Sequence, residues 1–190
     1  MHFKSCLISV AIASNLMATA ANAQSLIGAT VEFGAYYPTP SSPISNKVSA
    51  TVGDNIEFTS IGNLNLVGYV VADADVDISA SQIYIDYSWS GASASGGFNG
   101  YVFNFSNLGG QKITGVSLAS STTLPLNNIG LSFDADSVLI SLPGTTVSPS
   151  SILAVDVQVA SVPEPAAFAL FVVGGVVLLA SRGGKQRTSA

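Results

Sequence analysis

The chain has 190 residues, of which 48% are hydrophobic and only 9% charged, and its formal net charge is −5. Its single Cys, single His and both Met residues (Cys6, His2, Met1, Met17) all lie near the N-terminus. Everything beyond them lacks thiol and imidazole, which excludes Cys nucleophiles, Ser-His-Asp triads, His proton shuttles, disulfides and zinc, haem or iron–sulfur ligation by these groups.

In chain order, the first element is an export signal. Lys4 supplies a short positive region, and Cys6 to Ala13 is an apolar run broken by one Ser. Ala21-Asn22-Ala23 then places small residues at the two positions that a signal peptidase inspects. The pattern predicts a signal peptide over 1–23, with cleavage between Ala23 and Gln24.

Residues 24–161 remain, enough for one domain with its own core. Two bases, Lys47 and Lys112, face ten carboxylates, giving −8. That sign argues against nucleic acid and anionic membrane surfaces, which require basic patches.

Strands are predicted throughout this middle part. The first is Thr30 to Tyr37, followed by a Pro/Ser loop over Pro38–Pro43 that cannot join a central strand. Lys47–Val52 and Ile56–Thr59 read as a hairpin around Gly53-Asp54-Asn55. Val67–Val71 and Ala74–Ile78 come next. Ile83 to Trp89 alternates most clearly, with Ile83, Ile85, Tyr87 and Trp89 on one face. Gly91–Gly97 is a loop of small residues. Phe98–Phe105, Lys112–Leu118, Ile129–Phe133, Val138–Leu142 and Ile152–Val159 complete about ten strands. No helical period occurs before Ala166. Gly and Pro punctuate the strands at roughly ten-residue spacing, which predicts an all-β fold, an antiparallel β-sandwich of jelly-roll or immunoglobulin-like kind.

Three groups of side chains are candidate sites. Asp73, Asp75 and Asp77 alternate, so a strand carries all three carboxylates on one face about 6.6 Å apart, and Asp134 and Asp136 repeat the spacing. Calcium is the counter-charge that such hard oxygen ligands take in an exported protein, although no EF-hand loop is matched. The alternative is a solvated acidic edge that keeps sheets from pairing. Aromatic residues form the second group. Alternation assigns Tyr87, Trp89, Tyr101 and Phe103 to the core, leaving Tyr69 and Tyr84 as the candidates for stacking on sugar rings. The third is a glycosidase-like pair, for which Glu32 and Glu57 are the only Glu residues of the domain. No catalytic residue is assigned.

The C-terminus carries Val162-Pro163-Glu164-Pro165, an uncharged apolar run from Ala166 to Ala180, and then Arg182, Lys185 and Arg187. Pro165 suits the first position of a helix. The run spans about 22 Å as a helix, short of a hydrocarbon core of about 30 Å, so a transmembrane helix over 166–181 also needs flanking residues and local thinning. The basic residues belong on the cytoplasmic side, which agrees with the export signal.

This tripartite tail over 162–190 resembles the PEP-CTERM sorting signal of Gram-negative bacteria. The resemblance implies transient anchoring in the inner membrane, recognition by an exosortase-like processing enzyme, removal of the tail, and delivery to the cell surface or extracellular matrix. Gly183-Gly184 departs from the tighter basic cluster of many relatives. Phe98-Asn99-Gly100-Tyr101-Val102-Phe103 and Phe133-Asp134-Ala135-Asp136-Ser137-Val138 are similar to stretches that recur in small exported proteins of this kind. The expectation is an exported β-sandwich with a structural or adhesive role and no enzymatic activity. The alternative is a carbohydrate-binding module that retains exopolysaccharide, with or without calcium.

Overall fold

A computed structural model describes residues 24–162. The signal peptide with Ala21 and Ala23, the sorting residues from Pro163 through Arg187, and the expected span 166–181 lie outside them. Among the described residues, no helix is long and apolar enough to cross a membrane. Their fold is all-β and antiparallel. Eleven strands run in chain order: β1 (Thr30–Tyr36), β2 (Val48–Thr51), β3 (Ala74–Ile78), β4 (Gln82–Tyr87), β5 (Gly91–Ala92), β6 (Gly100–Ser106), β7 (Gln111–Leu118), β8 (Gly130–Phe133), β9 (Ser137–Ser141), β10 (Thr146–Val147) and β11 (Ile152–Ser161). Two single 3₁₀ turns, Ile61–Leu64 and Leu126–Asn128, are the only helical pieces among the described residues.

The strands form a five-stranded sheet in the order β2-β1-β6-β9-β8, a four-stranded sheet in the order β3-β4-β11-β7, and a two-stranded ribbon of β5 and β10. Alternation fixes which side of each strand is buried. In β4, Ile83, Ile85 and Tyr87 are buried while Asp86 is exposed. In β3, Ala74, Val76 and Ile78 are buried against half-buried Asp75 and exposed Asp77. One apolar cluster takes side chains from both large sheets, including Val31, Phe33, Phe103 and Ile140 from one and Val76, Ile85 and Val155 from the other. Phe33 sits at its centre, 5.3 Å from the ring of Phe58, 5.6 Å from Tyr101 and 5.3 Å from Phe103. A smaller cluster of Tyr36, Phe98 and Val102, with Leu139 packed on it, forms apart from this core.

Two predicted strands are not strands. Ile56–Thr59 does not fold back on β2 as a hairpin: β2 pairs only with β1, and Phe58 instead bridges to Val76 of β3. The chain crosses from one sheet to the other here because Phe58 alone of this segment enters the core, where it stacks on Phe33, while Ile56 stays exposed. Glu57 secures the crossing, its carboxylate accepting hydrogen bonds from the N–H of Gly53 (2.9 Å) and of Ile78 (2.6 Å). Val67–Val71 is a loop. Gly68 has φ +89°, a left-handed conformation that interrupts an extended run. The Val71 N–H goes to the Asn65 side chain at 2.8 Å instead of to a neighbouring strand. Conversely, the short β5–β10 ribbon falls partly in the predicted Gly91–Gly97 loop.

Candidate binding site

A cavity of about 400 Å³ opens where β1, β6 and the end of β4 approach the β5–β10 ribbon. Its size falls within the range of small-molecule sites. The walls come from both large sheets: Ala35 and Tyr101 from the five-stranded sheet and Tyr87 from the four-stranded one. Tyr37, Tyr69 and Trp89 add three more rings, and Ile44, Val71, Leu142 and Val147 supply aliphatic surface. Among the described residues, no Asp, Glu, Lys or Arg lines it.

Local sequence explains the placement of the rings. Trp89 follows the end of β4 and its indole lies directly over Gly91, where any side chain would collide with the ring. Gly100, at the start of β6, is similarly closed to a side chain by the backbone of Ile140. The loop bearing Tyr69 is turned by Gly68 and latched by Asn65, and it lifts Val67 and Val70 into solvent beside a Tyr69 that is 48% exposed. Of these, Tyr69 and Val70 line the cavity and give it an exposed, largely apolar edge.

The polar groups divide into occupied and free. Ser93 donates its hydroxyl to the Leu142 carbonyl and accepts the Thr145 N–H at 3.0 Å. Asn99 donates to the Ala94 carbonyl at 3.1 Å, and Tyr37 donates to the Ser95 carbonyl at 3.3 Å. By contrast, the Tyr87 hydroxyl and Thr145 Oγ1 are buried without a hydrogen-bond partner. An unpaired buried hydroxyl costs free energy, and both of these oxygens are enclosed behind the cavity wall that their residues help to form. Burial pushes the Tyr87 phenol well up from its usual range, with the nearby Tyr101 adding to it. Burial likewise pushes Tyr101 up to about 12. Both rings therefore remain neutral hydrogen-bonding groups at physiological pH.

The other predicted site residues are dispersed. Tyr69 lines the cavity. Tyr84 does not: it is half-buried in β4, in register with Asp77 of β3 and Ala154 of β11. Asp73 accepts hydrogen bonds from the Gly62 N–H at 3.0 Å and from the Ser88 hydroxyl at 3.0 Å. Asp75 accepts the Ser60 N–H at 2.8 Å, and Asp77 is exposed. Asp134 and Asp136 are exposed in the turn between β8 and β9, whereas β3 is the edge of the other sheet farthest from β7. The two acidic groups do not converge, and no three acidic, His or Cys side chains among the described residues are grouped to hold a metal ion. Glu32 pairs with Lys47 at 2.9 Å on the surface, and neither Glu32 nor Glu57 lines the cavity.

Sequence reasoning assigned Tyr87, Trp89 and Tyr101 to the core and overlooked Tyr37 and Thr145. Alternation shows that a ring faces inward. It does not show that the layers leave space beside that ring. Glycines next to aromatic residues, as in Trp89-Ser90-Gly91 and Gly100-Tyr101, were the available signal.

The cavity also has a defined position relative to the chain ends. Ile152, at the start of β11, pairs with Asp86 beside Tyr87, whereas Ser161 pairs with Gln111 at the other end of that strand. A ten-residue strand is about 30 Å long. The Ser25 N–H meets the Gln111 side chain at 3.2 Å, and the Val162 N–H meets the Gly110 carbonyl at 2.9 Å. Both ends of the described domain thus leave from the end opposite the cavity. Set against protein-family models, curated proteins and solved structures, the chain matches none of them.

Proposed function

We propose that residues 24–161 are an exported, non-enzymatic β-sandwich of the cell surface or extracellular matrix, with an adhesive role exercised by holding polysaccharide in the aromatic cavity. The sandwich is supported by the main apolar cluster, which takes side chains from both large sheets. The observation that carries the binding role is the cavity, walled by Tyr37, Tyr69, Trp89 and Tyr101 and lined by no charged side chain among the described residues. Flat aromatic faces stack on the apolar faces of sugar rings. The reading places no calcium in the cavity, which Asp73, Asp75, Asp77, Asp134 and Asp136 do not line.

Export and sorting rest on the signal peptide and on the PEP-CTERM-like residues Val162, Pro163, Glu164, Pro165, Arg182, Lys185 and Arg187. Signal peptidase and an exosortase-like enzyme are the processing partners, with the inner membrane as a transient anchor. A domain held through its C-terminus presents the cavity away from the anchor, since Val162 leaves from the opposite end. The test is a glycan array probed with the exported protein, with and without chelator. Retention that falls in Tyr69→Ala, persists in Tyr84→Ala and ignores chelator is expected; retention of no glycan in either condition overturns the binding role. Mass spectrometry of the native exported form tests the sorting: an intact tail beyond Pro165 overturns it.

A further inference from the structure

We infer that the sugar unit held in the cavity is uncharged, and that neutral side-chain groups, the Tyr101 hydroxyl foremost, bind its hydroxyls. The inference rests on the reading of the cavity as a glycan site and deepens it to a chemical class.

Charge decides which sugars the cavity accepts. An ion taken out of water is strongly penalised unless a group of opposite charge meets it. Among the described residues, the lining holds no such group. The two bases of the domain are placed elsewhere. Lys47 is held by Glu32 at 2.9 Å on the surface. Lys112 is in register with Ala160, at the end of β11 opposite the cavity. Negative charge borders the lining instead. Asp73 follows Ala72, a cavity residue, and its carboxylate accepts the hydroxyl of Ser88, which stands between Tyr87 and Trp89 in the chain. A uronate therefore enters without a partner and against this charge. A free amine gains no ion pair either, because Asp73 does not line the cavity and its two oxygens already accept the Gly62 N–H and the Ser88 hydroxyl.

Neutral polar groups, by contrast, are in supply. Among the described residues, the Trp89 indole N–H and the hydroxyls of Tyr69 and Tyr101 have no hydrogen-bond partner, and Asn99 gives one amide N–H to the Ala94 carbonyl and keeps the rest of its amide open. Such groups match sugar hydroxyls, each of which donates and accepts. Tyr101 is the most telling of them. Its side chain is only 4% exposed, yet its hydroxyl is not sealed off as those of Tyr87 and Thr145 are. A buried ring thus presents an open, unpaired hydroxyl to the space that it lines.

The test measures retention of the exported protein on immobilised extracellular polysaccharide from its own cells, native and after its carboxyl groups have been reduced to primary alcohols and its free amines acetylated. Retention is expected to be equal or stronger on the treated form, and unchanged between about 0.05 and 0.5 M salt. Tyr101→Phe keeps the ring and removes the hydroxyl. It is expected to weaken retention about tenfold while leaving the thermal midpoint of the free protein equal or higher. Tyr84→Phe, outside the cavity, is expected to keep wild-type retention. A merely structural role for the Tyr101 hydroxyl would instead lower the midpoint and spare retention. Retention lost on the treated polysaccharide, retention that falls with salt, wild-type retention in Tyr101→Phe, or no retention on either form overturns the inference. A glycan array with bound glycans then leaves the glycan reading standing; if the array is also blank, both fall.

Discussion

Tyr87 of β4 and Tyr101 of β6 come from different sheets, yet both rings are buried in the one core and both line the cavity. Their environment joins packing to chemistry. Both rings belong to the shared apolar core, and the Tyr87 hydroxyl has no hydrogen-bond partner there.

An alkaline limit to stability follows. Burial raises the Tyr101 phenol from 10.0 to about 12 and raises Tyr87 well above 10.0. The native state therefore holds protons that the unfolded chain releases above about pH 10, so stability is intact below that pH and falls as pH rises. At 1.36 kcal/mol per unit, Tyr101 alone accounts for a loss of roughly 2–3 kcal/mol by about pH 12. Urea midpoints across this range should drop steeply in wild type and less so in Tyr101→Phe. Equal slopes would show that these phenols are not linked to unfolding.

The acidic residues divide by hydrogen bonding. Asp73→Ala removes the acceptor of the Gly62 N–H and the Ser88 hydroxyl, and Asp75→Ala removes that of the Ser60 N–H. Each is expected to cost about 1–3 kcal/mol in chemical denaturation. Asp134→Ala and Asp136→Ala, at exposed turn positions, should stay within about 0.5 kcal/mol. Equal losses at all four would argue for a shared role, such as a common ion.

Phe33→Ala empties the centre of the aromatic cluster, where Phe58, Tyr101 and Phe103 all pack on one ring. A loss of about 3–5 kcal/mol is expected from denaturation curves. A loss below about 1 kcal/mol would mean that the two sheets do not share this core.

Much of this fold was legible in the sequence, because period-2 burial is written directly into strands such as Ile83-Tyr84-Ile85-Asp86-Tyr87 and Val155-Asp156-Val157-Gln158-Val159. The failures share one physical cause. Val67–Val71 has strand composition but no sheet to pair with, and Ile56–Thr59 gives its one core residue to the opposite sheet. Pairing partners are set by tertiary placement, which local pattern does not carry. The cavity was half legible: Tyr69 stood out as a ring outside the core pattern, while Tyr87, Trp89 and Tyr101 were hidden within that pattern.

Gly91→Val places a side chain where the Trp89 indole lies. The ring should be expelled, with a red-shifted emission, loss of glycan retention and a cost of about 1–3 kcal/mol from overpacking. Gly97→Ala, whose nearest neighbour is a backbone oxygen at an ordinary 3.7 Å, is the matched control and should change none of these. Unchanged emission in Gly91→Val would place the indole elsewhere.

Trp89 is the only tryptophan in the chain, so its emission reports on the cavity alone. Acrylamide quenching of the exported protein, measured with and without the extracellular polysaccharide of its own cells, is therefore the most direct test of cavity binding. Quenching should fall when the polysaccharide is present and recover in Tyr69→Ala. Quenching that stays unchanged while the protein still co-sediments with the polysaccharide would contradict the binding site placed here.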